Sequence, residues 1–87
     1  MEIKLLTRAD NELIYFSKTG DKKTIKKIKE RLISILKTPY SGIGKPEPLK
    51  HEHSGKWSRR INLEHRLVYK LSDDETIIYI YSIKSHY

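Results

Sequence analysis

Glu47 stands between Pro46 and Pro48, and His86 and Tyr87 are the last two residues. Between them lie Lys50, His51, Arg59, Arg60, Glu64 and Arg66. One carboxylate, one imidazole and several cations suffice for metal-free cleavage of a phosphodiester that carries its own nucleophile. A base can take a proton from the attacking hydroxyl, an acid can give one to the leaving oxygen, and cations offset charge on the phosphate. If the partner is RNA, the 2′-hydroxyl beside each scissile phosphate, which DNA lacks, supplies the attacking group. The proline flanks restrict the backbone of Glu47 and hold its carboxylate in place.

Each residue also has an ordinary reading. Glu47 fits a solvated loop, and Arg66 fits a cross-strand salt bridge with Glu64 or Glu75. His86 fits a frayed chain end. Guanidinium groups match phosphate oxygens in a fork, which gives Arg66 and one of Arg59 and Arg60 a second reading as phosphate clamps. By strand alternation Arg59 and Arg60 point to different faces, so at least one points outward.

Other chemistries fit less well. His51 and His53 lie on one side if the backbone is extended, but two ligands without a third make no persuasive metal site. The chain has no cysteine, which excludes a thiolate nucleophile, a cysteine metal site and a disulfide. "GIGKP" lacks the signature of a phosphate-cradling loop, and no serine nucleophile motif is present. No cofactor is implied.

The elements must bring these groups together. The 87 residues suit one domain, 1–87, with a small core. Eighteen Lys and Arg against eleven Asp and Glu give +7, which points to an anionic partner: nucleic acid, a membrane surface or an acidic protein. No membrane-spanning run or signal peptide is seen, so the expected location is the cytoplasm, with no membrane contact. Ile3–Leu6 reads as a buried strand. Ala9, Leu13 and Phe16 recur at helical spacing, with Thr7 as the expected N-cap and Gly20 as the stop. Asp21 is expected to cap a second helix whose apolar stripe is Ile25, Ile28, Leu32, Ile35 and Leu36. Its lysines occupy the other faces. Such a helix also fits a membrane surface, but packing on a sheet explains the stripe without one.

"TPYSGIGKPEP" breaks all periodicity. Trp57, Arg59 and Ile61 then share one face of a strand, and Ser58, Arg60 and Asn62 the other. A turn is expected at Asn62 and Leu63. His65, Leu67, Tyr69 and Leu71 alternate with Glu64, Arg66, Val68 and Lys70. "SDDE" makes a turn, and "TIIYIYSI" the last strand. The predicted class is α+β: two N-terminal helices packed on a mostly antiparallel twisted sheet of four to five strands. The helices cover one face, and the other is left to display charged residues.

"GKPEPLKH", "SGKWSRRI", "EHRLVY" and the terminal "HY" together closely resemble the YoeB-type (Txe/YoeB) toxins of the bacterial RelE-like superfamily. The match is clearest from Gly42 to Tyr87. Leu5, Asp10 and Phe16 fall where such sequences often carry tryptophan. The resemblance implies a RelE-like fold and a type II toxin that is a ribosome-dependent endoribonuclease. Such toxins cut translated mRNA at the ribosomal A site. It also implies a cognate YefM-like antitoxin, a homodimer, and contact with operator DNA through the antitoxin complex. In site terms it makes Glu47 the general base, Arg66 the stabiliser of transition-state charge, His86 the general acid and Tyr87 an orienter of mRNA. Lys50 and Arg60 become phosphate contacts. Arg59 is placed toward ribosomal RNA, His51 nearby, and Glu64 as an organiser of the arginines. The alternatives are a non-catalytic ribosome- or RNA-binding module, an antitoxin-binding co-repressor, and a purely structural interaction protein.

Overall fold

Residues 1–84 are described by the computed structural model. In chain order they form β1 (Glu2–Leu5), α1 (Thr7–Lys18), α2 (Lys22–Lys37), β2 (Glu47–Pro48), a short 3₁₀ turn (His51–His53), β3 (Trp57–Arg60), β4 (Arg66–Leu71) and β5 (Ile77–Ser82). The sheet order is β1-β5-β4-β3-β2. Only the β1–β5 pair is parallel among the described strands. This is the expected α+β arrangement, with five strands.

The helix boundary at Gly20 has a clear local cause. Gly20 takes the left-handed conformation (φ 70°). Its N–H donates to the Ser17 carbonyl, and the Asp21 N–H donates to the Phe16 carbonyl. The last carbonyls of α1 are thereby satisfied. Asp21 then opens α2, its carboxylate accepting from the Thr24 N–H (3.1 Å) and hydroxyl (2.8 Å). Those bonds hold the Asp21 carboxyl below its ordinary pKa. At the start of α1 the expectation fails. Leu6 is the capping residue, and no side chain caps the helix. Thr7 is already helical.

The stripe on α2 is largely buried. Ile28 and Ile35 enter the core, and Ile25 and Leu32 pack against it. Leu36 remains exposed, at the edge of the stripe. The helices meet a sheet face built from Leu67, Tyr69, Leu71, Ile78 and Ile80. Burying each such side chain is worth roughly 1.5–3 kcal/mol, so this face is committed. Strand alternation turns Arg60, Arg66 and Lys70 to the opposite face. β4 begins at Arg66, one residue after His65. His65 is buried, its ring edge-on to Phe16 at 5.1 Å. The bend before it is shaped by Asn62, whose Oδ1 accepts from the backbone N–H groups of Glu64 and His65.

Candidate active site

Glu47 lies on β2, the two-residue strand at the sheet edge, with Ser58 opposite it and Trp57 opposite Pro48. An edge is where a ladder tolerates proline. The segment that follows is pinned by Leu49, which is buried and whose N–H donates to the Lys56 carbonyl at 2.9 Å. Lys45 and His51 bracket the segment in left-handed conformations (φ 50° and 59°). Non-glycine residues adopt that region at a cost, and such residues cluster at functional sites. Residues 47–53 line one open cavity of about 520 Å³. Glu47, Lys50 and His51 are therefore brought together. His51 and His53 belong to the 3₁₀ turn and not to an extended run. Among the described residues no cluster of three or more His, Asp or Glu side chains is placed to hold a metal ion.

The ladder continues this site across the sheet. Glu47 pairs with Ser58, and Ser58 with Val68, so their side chains share the face away from the helices. Arg60 and Arg66, directly opposite each other, lie two residues along that face, a step of about 7 Å. Nη1 of Arg66 is buried and has no hydrogen-bond acceptor among the described residues. A buried unpaired guanidinium N–H costs free energy, and a second arginine opposite adds repulsion. An anion on this face would relieve both.

Arg59 departs from its expected contact with ribosomal RNA. It is 0% exposed and points to the helix side. Its guanidinium donates to the Ser34 hydroxyl (2.7 Å), to the carbonyls of Thr38, Ser41 (2.7 Å) and Ile43 (3.1 Å), and to the Tyr69 hydroxyl (3.2 Å). Three of these bonds reach the connection between α2 and β2, and the other two tie it to Ser34 on α2 and Tyr69 on β4. The Tyr69 hydroxyl in turn donates to the Pro39 carbonyl at 2.6 Å. Burial raises the Tyr69 pKa, against the opposing pull of the Arg59 hydrogen bond. Glu64 also departs from expectation. Its side chain is 79% exposed, and its ion contact is with His65 Nε2 at 3.6 Å, not with an arginine. It does line a surface cavity of about 540 Å³ beside Lys27, Arg31 and Arg60. His86 and Tyr87 lie outside the described residues.

Other residues were not singled out from the sequence. Lys56, Val68, Tyr81 and Ser82 line a cavity of about 440 Å³ together with His53, and Lys56 Nζ sits 4.3 Å from the Tyr81 ring centroid. A register shift in the β4–β5 pair between Val68 and Tyr69 places Ser82 opposite Val68, which simple alternation would not predict.

A family model described as a YoeB-like toxin of bacterial type II toxin-antitoxin system matches residues 7–87. Toxin YoeB of Escherichia coli (strain K12) is 52% identical over 68 residues, which cover 78% of this chain and 80% of that protein. The structure of the YoeB dimer from Staphylococcus aureus superposes with a TM-score of 0.87 at 46% identity, covering 100% of this chain and 98% of that one. The toxin in the heterotetrameric YoeB-YefM toxin-antitoxin complex from the same organism does so with a TM-score of 0.86, at the same identity and coverage. With its sheet, its Glu47 segment and its facing arginines on one surface, the chain belongs to the YoeB-like toxins of bacterial type II toxin-antitoxin systems.

Proposed function

We propose that the sheet face carrying Glu47, Arg60 and Arg66 is where this toxin, a ribosome-dependent endoribonuclease, cuts translated mRNA at the A site. The observation that carries this reading is Arg66 Nη1, buried without an acceptor among the described residues and opposite a second arginine. That is the geometry of a clamp for a phosphate oxygen. Glu47 takes the proton of the RNA 2′-hydroxyl. The freed oxygen attacks the adjacent phosphorus, and the bond to the 5′-oxygen breaks. His86 delivers a proton to that 5′-oxygen, leaving a 2′,3′-cyclic phosphate and a 5′-hydroxyl. Arg66 offsets the charge on the phosphate as the bonds change. Lys50, His51 and Arg60 hold the backbone on either side, and Tyr87 orients the message. Arg59 and Glu64 act at one remove, Arg59 by fixing the loop that leads to Glu47. No metal or cofactor enters this scheme. The ribosome supplies the alignment that a small open site lacks.

The whole chain, 1–87, acts as one domain in this reading. Its partners are a YefM-like antitoxin and a second copy of itself, by analogy with the Staphylococcus aureus complex and dimer. Operator DNA is reached through the antitoxin complex. Among the described residues no helix is long and apolar enough to cross a membrane, which is consistent with action in the cytoplasm.

The test is to map RNA 5′ ends in a translating extract. Wild-type protein should create ends at A-site codons, and Glu47→Gln and His86→Ala should remove them while remaining folded. Salt-sensitive ribosome binding without new ends would support the non-catalytic binding module instead.

A further inference from the structure

We propose that Glu12 is a positioning residue for the C-terminal catalytic segment. Glu12 sits on α1, seventy-one residues before Ile83. Its Oε1 accepts from the Ile83 N–H at 2.8 Å and from the Lys84 N–H at 3.3 Å. Its Oε2 accepts from Arg8 Nε at 3.1 Å, one turn earlier on the helix. The Glu12 side chain is only 14% exposed, while Arg8 is 61% exposed. A carboxylate in this position does for the end of β5 what a ladder partner does within a strand: it satisfies two successive N–H groups and fixes the direction in which the chain leaves the sheet. Charge-assisted bonds of this kind are about twice as strong as neutral ones.

Two further contacts hold the same point. Ile83 is buried in the core, and Lys84 Nζ lies 4.8 Å from the Tyr15 ring centroid, one turn along α1 from Glu12. Tyr15, Glu12, Arg8 and Lys84 line one surface cavity of about 600 Å³. Two peptide units separate Lys84 from His86 in the sequence. Fixing the Lys84 backbone therefore fixes the point from which the last three residues start. The inference rests on the proposed role of His86 as general acid. In that role Glu12 touches no substrate, and its effect falls on the rate of the chemical step, because misplacing a reacting group by about 1 Å can cost up to about a hundredfold.

The test compares Glu12→Met, which fills similar space but accepts no hydrogen bond there, with Glu12→Gln, which keeps a carbonyl acceptor. Amide hydrogen exchange is read at Ile83 and Lys84, and single-turnover mRNA cleavage is measured on programmed ribosomes at rising toxin concentration. Glu12→Met should speed exchange at those two amides while β5 stays protected. It should lower the saturating cleavage rate roughly tenfold or more, with the half-saturating concentration unchanged. Glu12→Gln should restore most of both. Unchanged exchange at Ile83 and Lys84 in Glu12→Met overturns the tether. Faster exchange with a wild-type saturating rate, or an effect confined to half-saturation, overturns the positioning role. His86→Ala is run alongside: if it cuts at the wild-type rate, the general-acid reading fails, and the exchange data still decide whether Glu12 holds the segment.

Discussion

Arg60 and Arg66 face each other directly across the β3–β4 ladder, on the sheet surface away from the helices. Two like charges in this register destabilise a sheet by roughly 0.2–1 kcal/mol, and Nη1 of Arg66, unpaired among the described residues, adds a desolvation cost of roughly 1–3 kcal/mol. In the proposed function an RNA phosphate on this face offsets both costs. Arg66→Met is therefore expected to stabilise the free protein by about 1 kcal/mol, which is roughly 4–8 °C in Tm for a chain of this size. The same change should lower ribosome-dependent cleavage by at least about a hundredfold. Inorganic phosphate should raise the Tm of wild type more than that of the variant. A variant with a lower Tm and an unaltered phosphate response would show that Arg66 is a structural cation.

The neighbouring arginines of β3 should behave oppositely. Arg59 holds three carbonyls and two hydroxyls with its buried guanidinium. Lysine offers one ammonium and cannot reach that set. Arg59→Lys should cost at least about 3 kcal/mol, since each lost bond to a charged donor is worth roughly 1.5–3 kcal/mol. Arg60→Lys, on the exposed side, should leave Tm within about 2 °C and reduce RNA binding in a salt-dependent way. Thermal melts and salt titrations of ribosome binding on both variants check the contrast.

Gly44 joins the Arg59-held loop to the Glu47 strand. Its φ is 86°, and a Cβ there would lie 2.8 Å from the Arg60 carbonyl oxygen and 3.2 Å from the Arg59 Cβ. Its own carbonyl accepts from the Arg60 N–H at 2.6 Å. Gly44→Ala must displace backbone three residues before Glu47. Gly20→Ala carries a similar positive-φ strain (φ 70°) but meets nothing within 4 Å. Each should lose about 1 kcal/mol or more from the strain itself. Only Gly44→Ala should also lower the saturating cleavage rate, by roughly tenfold, measured well below both Tm values. Equal rates in the two variants would mean that Glu47 is not set by this loop.

The sequence made some of this legible for identifiable reasons. The α2 stripe, the Asp21 cap and the Gly20 stop are local signals, and each appears where its spacing placed it. Alternation showed that Arg59 and Arg60 differ in face but not which one is buried. Trp57 and Ile61, apolar and in step with Arg59, carried that information. The two-residue β2 has no periodicity to detect, because its strand character comes from pairing with β3. The register shift beside Val68 and the reach of Glu12 to Ile83 are products of tertiary packing. No window of the sequence encodes them. The family resemblance named Glu47 and Arg66, and the ladder puts both on one face.

Stability should fall at both ends of the pH range through different residues. Asp21 is lowered by hydrogen bonds from Thr24, and Asp74 by those from Ser72 and Thr76. A carboxylate with a depressed folded pKa contributes its full stabilisation above its unfolded pKa and loses it as pH falls through the folded one. The Asp21 cap and the Asp74 turn therefore weaken in acid, below the ordinary aspartate range. Tyr69 has the opposite sign. Burial raises its pKa, and its hydroxyl must keep the proton it donates to the Pro39 carbonyl. A raised folded pKa gives stability that is complete below the unfolded value, about 10, and is lost as pH rises through the folded one. Tyr69→Phe should cost about 1–2 kcal/mol at neutral pH and flatten the alkaline limb, leaving the acid limb as it is. Asp21→Ala with Asp74→Ala should flatten the acid limb alone. Denaturant unfolding from pH 3 to pH 11 reads both. An alkaline limb that persists in Tyr69→Phe would show that Tyr69 does not carry it.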